Sequence, residues 1–344
     1  LNNPVGATAL TCGQVYPAAF NTKGEIDFYT FTAQADDAVI IRAQGIGNAS
    51  ISVAFYSPEG VNLGGSLEKK LTSAGTYTIV VTASSNSGSG SYFVTWSRLN
   101  NSCASVLECA QVVTGTIGNT AQAPPWQFYS FPAQANDRVT IRLAETSGDL
   151  YVELYDPQGR KVGGANYLNF DATLTITGTY TILVRGYFSS DTGTYALSWL
   201  RLNNSCAPVL ECAQAVTGSI GSTASAAAFG FYSFSASAND KVTVHFSEIS
   251  GDLYLELYGP DGKQIQAVNS GSIDAALTLT GTYTIIVRGY YGSDTGTYSL
   301  AWQRLNNPVG AITISFGDTV SGSIDNPIEA VVYQFPVEAN DKIL

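Results

Sequence analysis

The stretch NDRVTIRLAETSGDLYVELYDPQGRKV, residues 136–162, identifies the fold class of this chain. Every second residue in its two β-prone runs is apolar, which is the period of a strand with one buried face. The alternating apolar residues are Val139, Ile141, Leu143, Leu150, Val152 and Leu154. The segment Asp156-Pro157-Gln158-Gly159 that follows has Pro in second and Gly in fourth position, as a β-turn prefers. These features predict strands of an antiparallel sheet, with no helical pattern.

The chain repeats this pattern with a period near 100 residues. The tripeptide Leu-Asn-Asn begins at Leu1, Leu99, Leu202 and Leu305, so the copies start 98, 103 and 103 residues apart. Such a period is the size of a whole domain and too long for one turn of a solenoid. We therefore predict an all-β protein of tandem antiparallel β-sandwich, jelly-roll-like domains arranged head to tail, each with seven or eight strands.

The predicted domains are three complete copies and one partial copy. Their bounds are residues 1–98 (repeat 1), 99–201 (repeat 2), 202–304 (repeat 3) and 305–344, the incomplete start of repeat 4. About forty residues cannot bury a two-sheet core. We expect either that the chain continues past Leu344, as in a longer array, or that another chain supplies the missing strands.

An ordered series of motifs in repeat 2 resembles the bacterial pre-peptidase C-terminal domain. The series is FYSFPAQANDRVTIRL (128–143), GDLYVELYDPQGRKV (148–162), GTYTILVRG (178–186) and DTGTYALSW (191–199). Repeat 3 follows it closely, and repeat 1 departs from it with NASISVAFYSPEG (48–60). The resemblance implies a jelly-roll-like sandwich that is secreted and non-catalytic, found beside exported peptidases and in cell-surface proteins. Some relatives bind calcium or collagen, but their sites do not transfer clearly to this sequence.

The composition narrows the possible partners and the compartment. Charged residues make up 12% of the chain and the formal net charge is −11, without any basic run. The negative electrostatic potential of such a chain disfavours nucleic acid and anionic membranes as partners. No window of the sequence has the roughly 18 apolar residues of a membrane span. The chain lacks Met and a signal peptide, so we expect a mature product or a fragment located outside the cell.

Four of the five cysteines form two C-x5-C pairs at the entrances of repeats 2 and 3. A zinc site would need further Cys or His ligands, and His245 is the single histidine of the chain. We therefore predict two local disulfides, Cys103–Cys109 and Cys206–Cys212, formed in an oxidising compartment. The fifth cysteine, Cys12, is expected to be a buried thiol, with an intermolecular bridge as the alternative.

The acidic residues suggest weak metal sites rather than catalysis. A hydrolytic triad needs a histidine base, so we expect no catalytic residue and no enzyme activity. Loop carboxylates could bind calcium weakly, and the alternative is that they are solvated or order their own turns. The calcium candidates are Glu145, Asp149, Asp191, Glu248, Asp252 and Asp294. Apart from this possible calcium, no cofactor is expected.

Tyrosines are the best candidates for an interaction surface, because tyrosine combines apolar area with a hydroxyl. Alternation places some of them on the outer face of a sheet, and others end a neighbouring strand. The candidates are Tyr151, Tyr155, Tyr187, Tyr254, Tyr258, Tyr290 and Tyr291. The alternative is that they pack beneath loops or cover the outer face of the second sheet. Glycosylation sequons occur at Asn48, Asn100 and Asn203.

Two functions fit these observations. The first is an extracellular structural or adhesive protein, a semi-rigid rod or filament of tandem sandwiches joined by short links. Its partners would be further copies of itself, other surface proteins or polysaccharide. The second is a carbohydrate- or protein-binding accessory region of a large secreted hydrolase or peptidase. The two differ in what flanks the array, namely more repeats or a catalytic domain.

Overall fold

The structure, a computed structural model, describes most of the chain. The described residues are 4–47, 49–65, 68–84, 90–166, 168–221, 228–291, 293–324, 328 and 330–343. Within these residues the regular elements are all strands. The chain divides into two compact units, Leu1–Trp199 and Leu200–Leu344.

Repeat 1 forms two facing sheets. Its strands are β1 (Thr8–Ala9), β2 (Val15–Phe20), β3 (Ile26–Ala33), β4 (Ala38–Gly45), β5 (Ile51–Tyr56), β6 (Asn62–Gly64), β7 (Glu68–Lys70), β8 (Gly75–Ala83) and β9 (Gly90–Arg98). The five-stranded sheet has the order β1-β3-β8-β5-β6, and the four-stranded sheet has the order β2-β9-β4-β7. Strand β1 pairs with β3 in parallel, and the other pairings are antiparallel.

Repeat 2 has the same topology. Its strands are β10 (Ser105–Val106), β11 (Val112–Ile117), β12 (Trp126–Ala133), β13 (Arg138–Ser147), β14 (Leu150–Tyr155), β15 (Lys161–Ala165), β16 (Leu168–Thr173), β17 (Gly178–Gly186) and β18 (Gly193–Arg201). The sheet orders are β10-β12-β17-β14-β15 and β11-β18-β13-β16. The turn predicted at Asp156–Gly159 joins β14 to β15, and the N–H of Gly159 donates to the carbonyl of Asp156 at 2.8 Å.

The second unit contains a third sandwich and a further pair of short strands. Its strands are β19 (Val216–Ile220), β20 (Phe229–Ala236), β21 (Lys241–Gly251), β22 (Leu253–Tyr258), β23 (Gln264–Val268), β24 (Ile273–Ala276), β25 (Gly281–Gly289), β26 (Gly296–Arg304), β27 (Ile312–Thr313) and β28 (Tyr333–Gln334). Strand orders are β20-β25-β22-β23 and β19-β26-β21-β24, and β27 pairs with β28 in parallel. The all-β sandwich prediction is confirmed, while the exact domain bounds stay a prediction.

Each sandwich has a core built from the predicted inward positions. In repeat 2, Val139, Ile141 and Leu143 are buried together with Leu150, Val152 and Leu154. The ring of Phe131 stacks on Trp199 with centroids 4.3 Å apart, and the Trp199 indole N–H donates to the carbonyl of Leu107 at 2.7 Å. Repeat 3 repeats both contacts, with Phe234 on Trp302 at 4.3 Å and Trp302 bonded to Leu210 at 2.7 Å. The indole therefore anchors the entry segment of each repeat to its own core.

A pair of tyrosine hydroxyls links the two sheets of each sandwich. In repeat 2 the hydroxyls of Tyr129 on β12 and Tyr195 on β18 lie 2.9 Å apart. Burial raises the pKa of Tyr195 well above its ordinary value, and the neighbouring Tyr129 adds to the effect. The phenols therefore stay neutral and share a hydrogen bond across the core. Tyr232 and Tyr298 form the same pair in repeat 3 at 2.8 Å.

Candidate functional site

Repeats 1 and 2 share an apolar joint, the first feature of functional interest. The outer face of β4 and β9 in repeat 1 packs against the outer face of β12, β14 and β17 in repeat 2. The buried apolar residues of the joint are Ala38, Ile40, Phe93, Leu99, Trp126, Phe128, Tyr155 and Leu183. Burial of such side chains stabilises by roughly 1.5–3 kcal/mol each, so the two sandwiches are held together over a face and not only by their link.

Tyr155 and Tyr258 correct the prediction of an exposed tyrosine surface. Alternation correctly places Tyr155 on the outer face of β14, but that face is covered by repeat 1, and Tyr155 is 0% exposed. Tyr258, at the equivalent position of repeat 3, is 2% exposed. Neither ring is available to an external partner in this structure, because both are buried. The prediction was wrong because sequence periodicity identifies a face without showing whether something covers it.

A buried carboxylate lies at the polar centre of the joint. Glu153 on β14 is 2% exposed. Its Oε1 accepts hydrogen bonds from Lys161 Nζ and Arg185 Nη2, both at 2.9 Å. Burial alone would raise the pKa of Glu153, but hydrogen bonds from Tyr155 and Lys161 and the charge of Arg185 outweigh it and lower the pKa. Glu153 is therefore ionised inside the joint at neutral pH.

Repeat 1 completes this polar centre. The Tyr155 hydroxyl lies 2.7 Å from Glu153 Oε2 and 2.8 Å from Glu68 Oε1 of repeat 1. Arg42, also in repeat 1, is 3.2 Å from Glu68 and 3.9 Å from Glu153. Charges from both repeats thus alternate in sign across the joint, and separating the repeats would break the Tyr155–Glu68 hydrogen bond and the contact of Arg42 with Glu153.

The side chain of Asn100, at the start of repeat 2, forms hydrogen bonds with the backbone of repeat 1. Its side-chain oxygen accepts from the N–H of Ala38 at 2.6 Å, and its amide nitrogen donates to the carbonyl of Asp36 at 3.0 Å. The N–H of Leu99 donates to the carbonyl of Ala38 at 2.7 Å. The sequon asparagine Asn100 is therefore engaged through both amide atoms.

The same contacts recur at the end of repeat 3. The side-chain oxygen of Asn306 accepts from the N–H of Lys241 at 2.6 Å, and its amide nitrogen donates to the carbonyl of Asn239 at 3.1 Å. Of the other two sequon asparagines, Asn48 lies outside the described residues, and glycosylation at Asn203 stays a prediction.

Cys12 and Cys103 form a disulfide that joins repeat 1 to the entry segment of repeat 2. Their Cα atoms are 6.0 Å apart and 91 residues separate them in sequence. Cys109 and Cys206 are also disulfide-bonded, and Cys212 is a free thiol. The predicted local bridges Cys103–Cys109 and Cys206–Cys212 are wrong, as is the expectation that Cys12 is left over.

The segment between Cys103 and Cys109 contains strand β10, which pairs in parallel with β12. The strand covers Ser105 and Val106, two of the five residues between the cysteines. Instead of closing this short loop, Cys103 pairs with Cys12, which lies 91 residues away in sequence.

The predicted calcium ligands lie partly in strands, with Glu145 on β13 and Glu248 on β21, and partly in the turns that follow strands. The N–H of Leu150 donates to Glu145 Oε1 at 2.9 Å. Asp191 and Asp294 each accept a backbone N–H three residues earlier, from Phe188 at 2.7 Å and Tyr291 at 2.6 Å. Their carboxylates thus order their own turns. Over the described part of the chain, no group of three Asp, Glu, His or Cys residues is placed to hold a metal ion, and calcium binding by Glu145, Asp149, Asp191, Glu248, Asp252 or Asp294 stays a prediction.

Glu145 is unusual among these acids. Burial raises its pKa to about 7, and the nearby charge of Asp149 contributes in the same direction, while the hydrogen bond from Leu150 opposes them. Asp149 Oδ1 is buried without a hydrogen-bond partner among the described residues. The Glu145 carboxyl group is therefore about half protonated near neutral pH, so its charge is sensitive to the surroundings.

The remaining tyrosine candidates form two matching groups, which we call the aromatic corners. In repeat 2 the corner consists of Tyr151, Tyr187 and Phe188. The Tyr187 ring meets Tyr151 edge to face at 5.8 Å and Phe188 at 4.9 Å. The Arg185 guanidinium lies 4.7 Å from the centre of the Tyr151 ring and donates to the carbonyls of Gly186 and Tyr187 at 2.7 and 2.8 Å.

The corner of repeat 3 consists of Tyr254, Tyr290 and Tyr291. Tyr290 meets Tyr254 at 5.6 Å and Tyr291 at 4.9 Å. Arg288 lies 4.5 Å from the Tyr254 ring centre and donates to the carbonyls of Gly289 and Tyr290 at 2.7 and 2.8 Å. Five of the seven tyrosine candidates therefore gather in two places. Phe188 joins them although it was not a predicted site residue.

Sequence periodicity did not identify Glu153, Arg42 and Glu68 as site residues. One signal was present: Glu153 and Glu256 are acids inside the otherwise apolar strand runs LYVELY and LYLELY. A charge in the middle of such a run needs a partner when the strand is covered. What the sequence did not contain was the partner's position, since Arg42 lies 111 residues earlier in the chain than Glu153.

Comparison with known proteins finds similarity to solved structures only. No protein-family model matches the chain, and no curated protein matches it. The pre-peptidase C-terminal domain of a collagenase from Bacillus anthracis is 21% identical, covers 28% of this chain and 93% of its own, and has a TM-score of 0.23. Aeromonas hydrophila PliG, a periplasmic inhibitor of g-type lysozyme, is 15% identical with coverages of 28% and 95% and a TM-score of 0.22. At these TM-scores the similarities to solved structures support no conclusion about function.

The described residues contain no helix that is long and apolar enough to cross a bilayer.

Proposed function

We propose that this chain is a non-catalytic extracellular protein with a structural or adhesive role, built as a semi-rigid array of β-sandwich repeats. The observation that supports it most strongly is the joint between repeats 1 and 2. A flexible tether would leave the two sandwiches independent. Here a covered apolar face, a buried ion cluster and the Cys12–Cys103 disulfide all stabilise the contact between repeats 1 and 2.

The cysteines support the extracellular part of the proposal. Four of them are disulfide-bonded, and structural disulfides persist in oxidising compartments. The disulfide Cys12–Cys103 closes a loop of 91 residues, for which chain-entropy arguments give a stabilisation of about 4.6 kcal/mol. Reduction would remove this stabilisation, so a joint of this kind suits a protein that works outside the cell.

Small-angle X-ray scattering of the full chain tests the stiffness. The variant for comparison carries eight Gly-Ser residues inserted after Asn101, Cys12→Ser and Cys103→Ser, and Ile40→Asp and Leu183→Asp in the apolar joint, so that the short link, the disulfide and the covered apolar face are all removed. We expect the unmodified chain to scatter as one narrow distribution of maximum dimension and the variant to scatter as a broad one. If the unmodified chain and the variant gave equally broad distributions of maximum dimension, the proposal would be contradicted. Circular dichroism of both proteins verifies that the sandwiches themselves remain folded.

A further inference from the structure

The aromatic corners expose ring surface that the sandwiches do not use for their own cores. Phe188 and Tyr291 are each 64% exposed, Tyr187 is 40% exposed and Tyr290 is 37% exposed. None of the four belongs to the apolar cores of repeats 2 and 3. Exposed aromatic rings that cluster on a soluble protein mark contact sites more often than single exposed apolar residues do.

The exposed rings are held in place by the same contacts in both repeats. The N–H of Tyr187 donates to the carbonyl of Asp149 at 3.0 Å, and that of Tyr290 donates to Asp252 at 2.9 Å. The carboxylates of Asp191 and Asp294 fix the next residue, as described above. A side chain at Gly186 would meet the carbonyl oxygens of Phe188 and Asp191 at 2.5 and 2.6 Å. The backbone of the loop is thus closely packed, so it would lose little conformational entropy on binding.

Polar groups flank the corner of repeat 2. Beside Phe188 lies a groove of about 480 Å³, to which Gln44, Ser50, Arg185 and Asp191 contribute. The amide nitrogen of Gln44 donates to Asn119 Oδ1 at 3.0 Å, which orders that side of the groove. An exposed ring face next to amide, hydroxyl and carboxylate groups offers apolar stacking and hydrogen bonds together. These are the two contacts that a sugar ring can make, through its C–H face and its hydroxyls.

We propose that the two aromatic corners bind a neutral polysaccharide, which deepens the proposed adhesive function and rests on it. Two observations select this ligand. The same corner recurs in successive repeats, and repeated weak sites favour a ligand that is itself repetitive, because the second contact becomes intramolecular. The net charge of −11 repels polyanionic chains. Repeat 1 has Thr82, Ala83 and Ser84 at the positions of Arg185, Gly186 and Tyr187, so it lacks a corner.

Sedimentation of the full chain with insoluble polysaccharides tests the proposal. The probes are microcrystalline cellulose and chitin as neutral polymers and cross-linked polygalacturonate as an anionic one. We expect the chain to sediment with at least one neutral polymer, and we expect binding to be unchanged between 0.05 and 0.5 M salt, values on the order used to screen exposed charges. Phe188→Ala and Tyr291→Ala should each weaken binding several-fold, and the double variant should weaken it on the order of 100-fold.

Phe316→Ala is the matched control, because Phe316 is a fully exposed phenylalanine outside both corners; its binding should equal that of the unmodified chain. The proposal is overturned if neither neutral polymer retains the chain, if the double variant binds as well as the unmodified chain, or if only polygalacturonate retains it. Thermal unfolding of each variant shows that the fold is intact. A chain that scatters as a flexible molecule but binds through the corners would contradict the stiff array alone, and a stiff chain that binds no polymer would contradict the corners alone.

Discussion

A Cβ atom added to Gly159 would overlap with the Cβ atom of Ala38. Gly159 ends the β-turn after β14, and its φ of +76° is in the left-handed region that favours glycine. The turn of repeat 2 thus lies directly against the start of β4 in repeat 1. Such an approach leaves no room for a side chain, and it makes Gly159 a sensitive test of the joint.

Gly159→Ala is predicted to destabilise the joint. The added methyl group must displace Ala38, and overpacking of this kind costs about 1–3 kcal/mol, in addition to the strain of alanine at positive φ. Gly24→Ala is the matched control, because its φ is +79° and nothing lies within 4 Å of the added atom. Urea unfolding should show a larger loss for Gly159→Ala; equal losses in the two variants would mean that the contact with Ala38 is not maintained in solution.

The pairing of the cysteines predicts a single reactive thiol. Alkylation in denaturant without reductant should label one cysteine of five, and peptide mass mapping should locate the label on Cys212, the free thiol of the structure. In Cys12→Ser, the partner Cys103 should become a second labelled site. Label on Cys12 in the unmodified chain would contradict the structure.

The position of Cys212 shows why this thiol has no partner. Cys12 is the second cysteine position of repeat 1, and it bonds Cys103, the first cysteine of repeat 2. Cys212 occupies the same position in repeat 3, but the residue that follows Leu305 at the spacing of Cys103 from Leu99 is Val309. A disulfide between consecutive repeats needs a cysteine at both positions, and Val309 cannot form one.

The sequence predicted the sandwiches better than it predicted their contacts. Alternation along β13 and β14 was sufficient to place Val139, Ile141 and Val152 in the core of repeat 2, because the side chains of a strand point to its two faces in turn. Tyr155 obeys the same alternation and lies on the opposite face of β14. Whether Tyr155 is exposed, however, depends on the position of repeat 1, which the local sequence pattern around Tyr155 does not show.

The contacts between repeats could not be predicted because their partners are distant in the chain. The C-x5-C spacing suggested a local bridge, but Cys103 bonds Cys12, which lies 91 residues earlier in the chain. The partners in the ion pair of Glu153 with Lys161 are eight residues apart in sequence, whereas the contact of Glu153 with Arg42 joins two repeats. Single-sequence periodicity reports local geometry, and the joint is a property of tertiary structure.

Glu145 is predicted to titrate near neutral pH. Burial raises its folded-state pKa to about 7 from a value of 4.5, so folding disfavours the ionised form. The folded protein should therefore lose stability as pH rises from about 4.5 to 7, by about 1–2 kcal/mol after allowance for solvent screening. Carbon-detected NMR titration of the Glu145 carboxyl group should give a midpoint near 7, and Asp149→Asn should lower it by removing a neighbouring charge. A midpoint near 4.5 would show that the carboxyl group is solvated.

Glu153 is predicted to have the opposite pH dependence. Its pKa is lowered in the folded protein from 4.5, so its contribution to stability is fully present above about pH 4.5 and is lost as pH falls through the lower folded-state value. Glu153→Gln removes the charge and leaves Lys161, Arg185 and Arg42 less well compensated, which should cost about 3 kcal/mol at pH 7. The difference from the unmodified chain should shrink as pH falls below 4.5, where the unfolded-state carboxylate becomes protonated first, and should be lost once pH falls through the lower folded-state pKa.

Chemical denaturation at pH 7 and at pH 3 measures this difference, with Glu108→Gln as the control, since Glu108 is an exposed acid of the same repeat. The control should change stability little at either pH. A destabilisation by Glu153→Gln that is the same at both pH values would show that the substitution acts through packing and not through charge. A pH-dependent loss would show that the substitution acts through the carboxylate charge, whose ion-pair partners are Lys161 and Arg185 in repeat 2 and Arg42 in repeat 1.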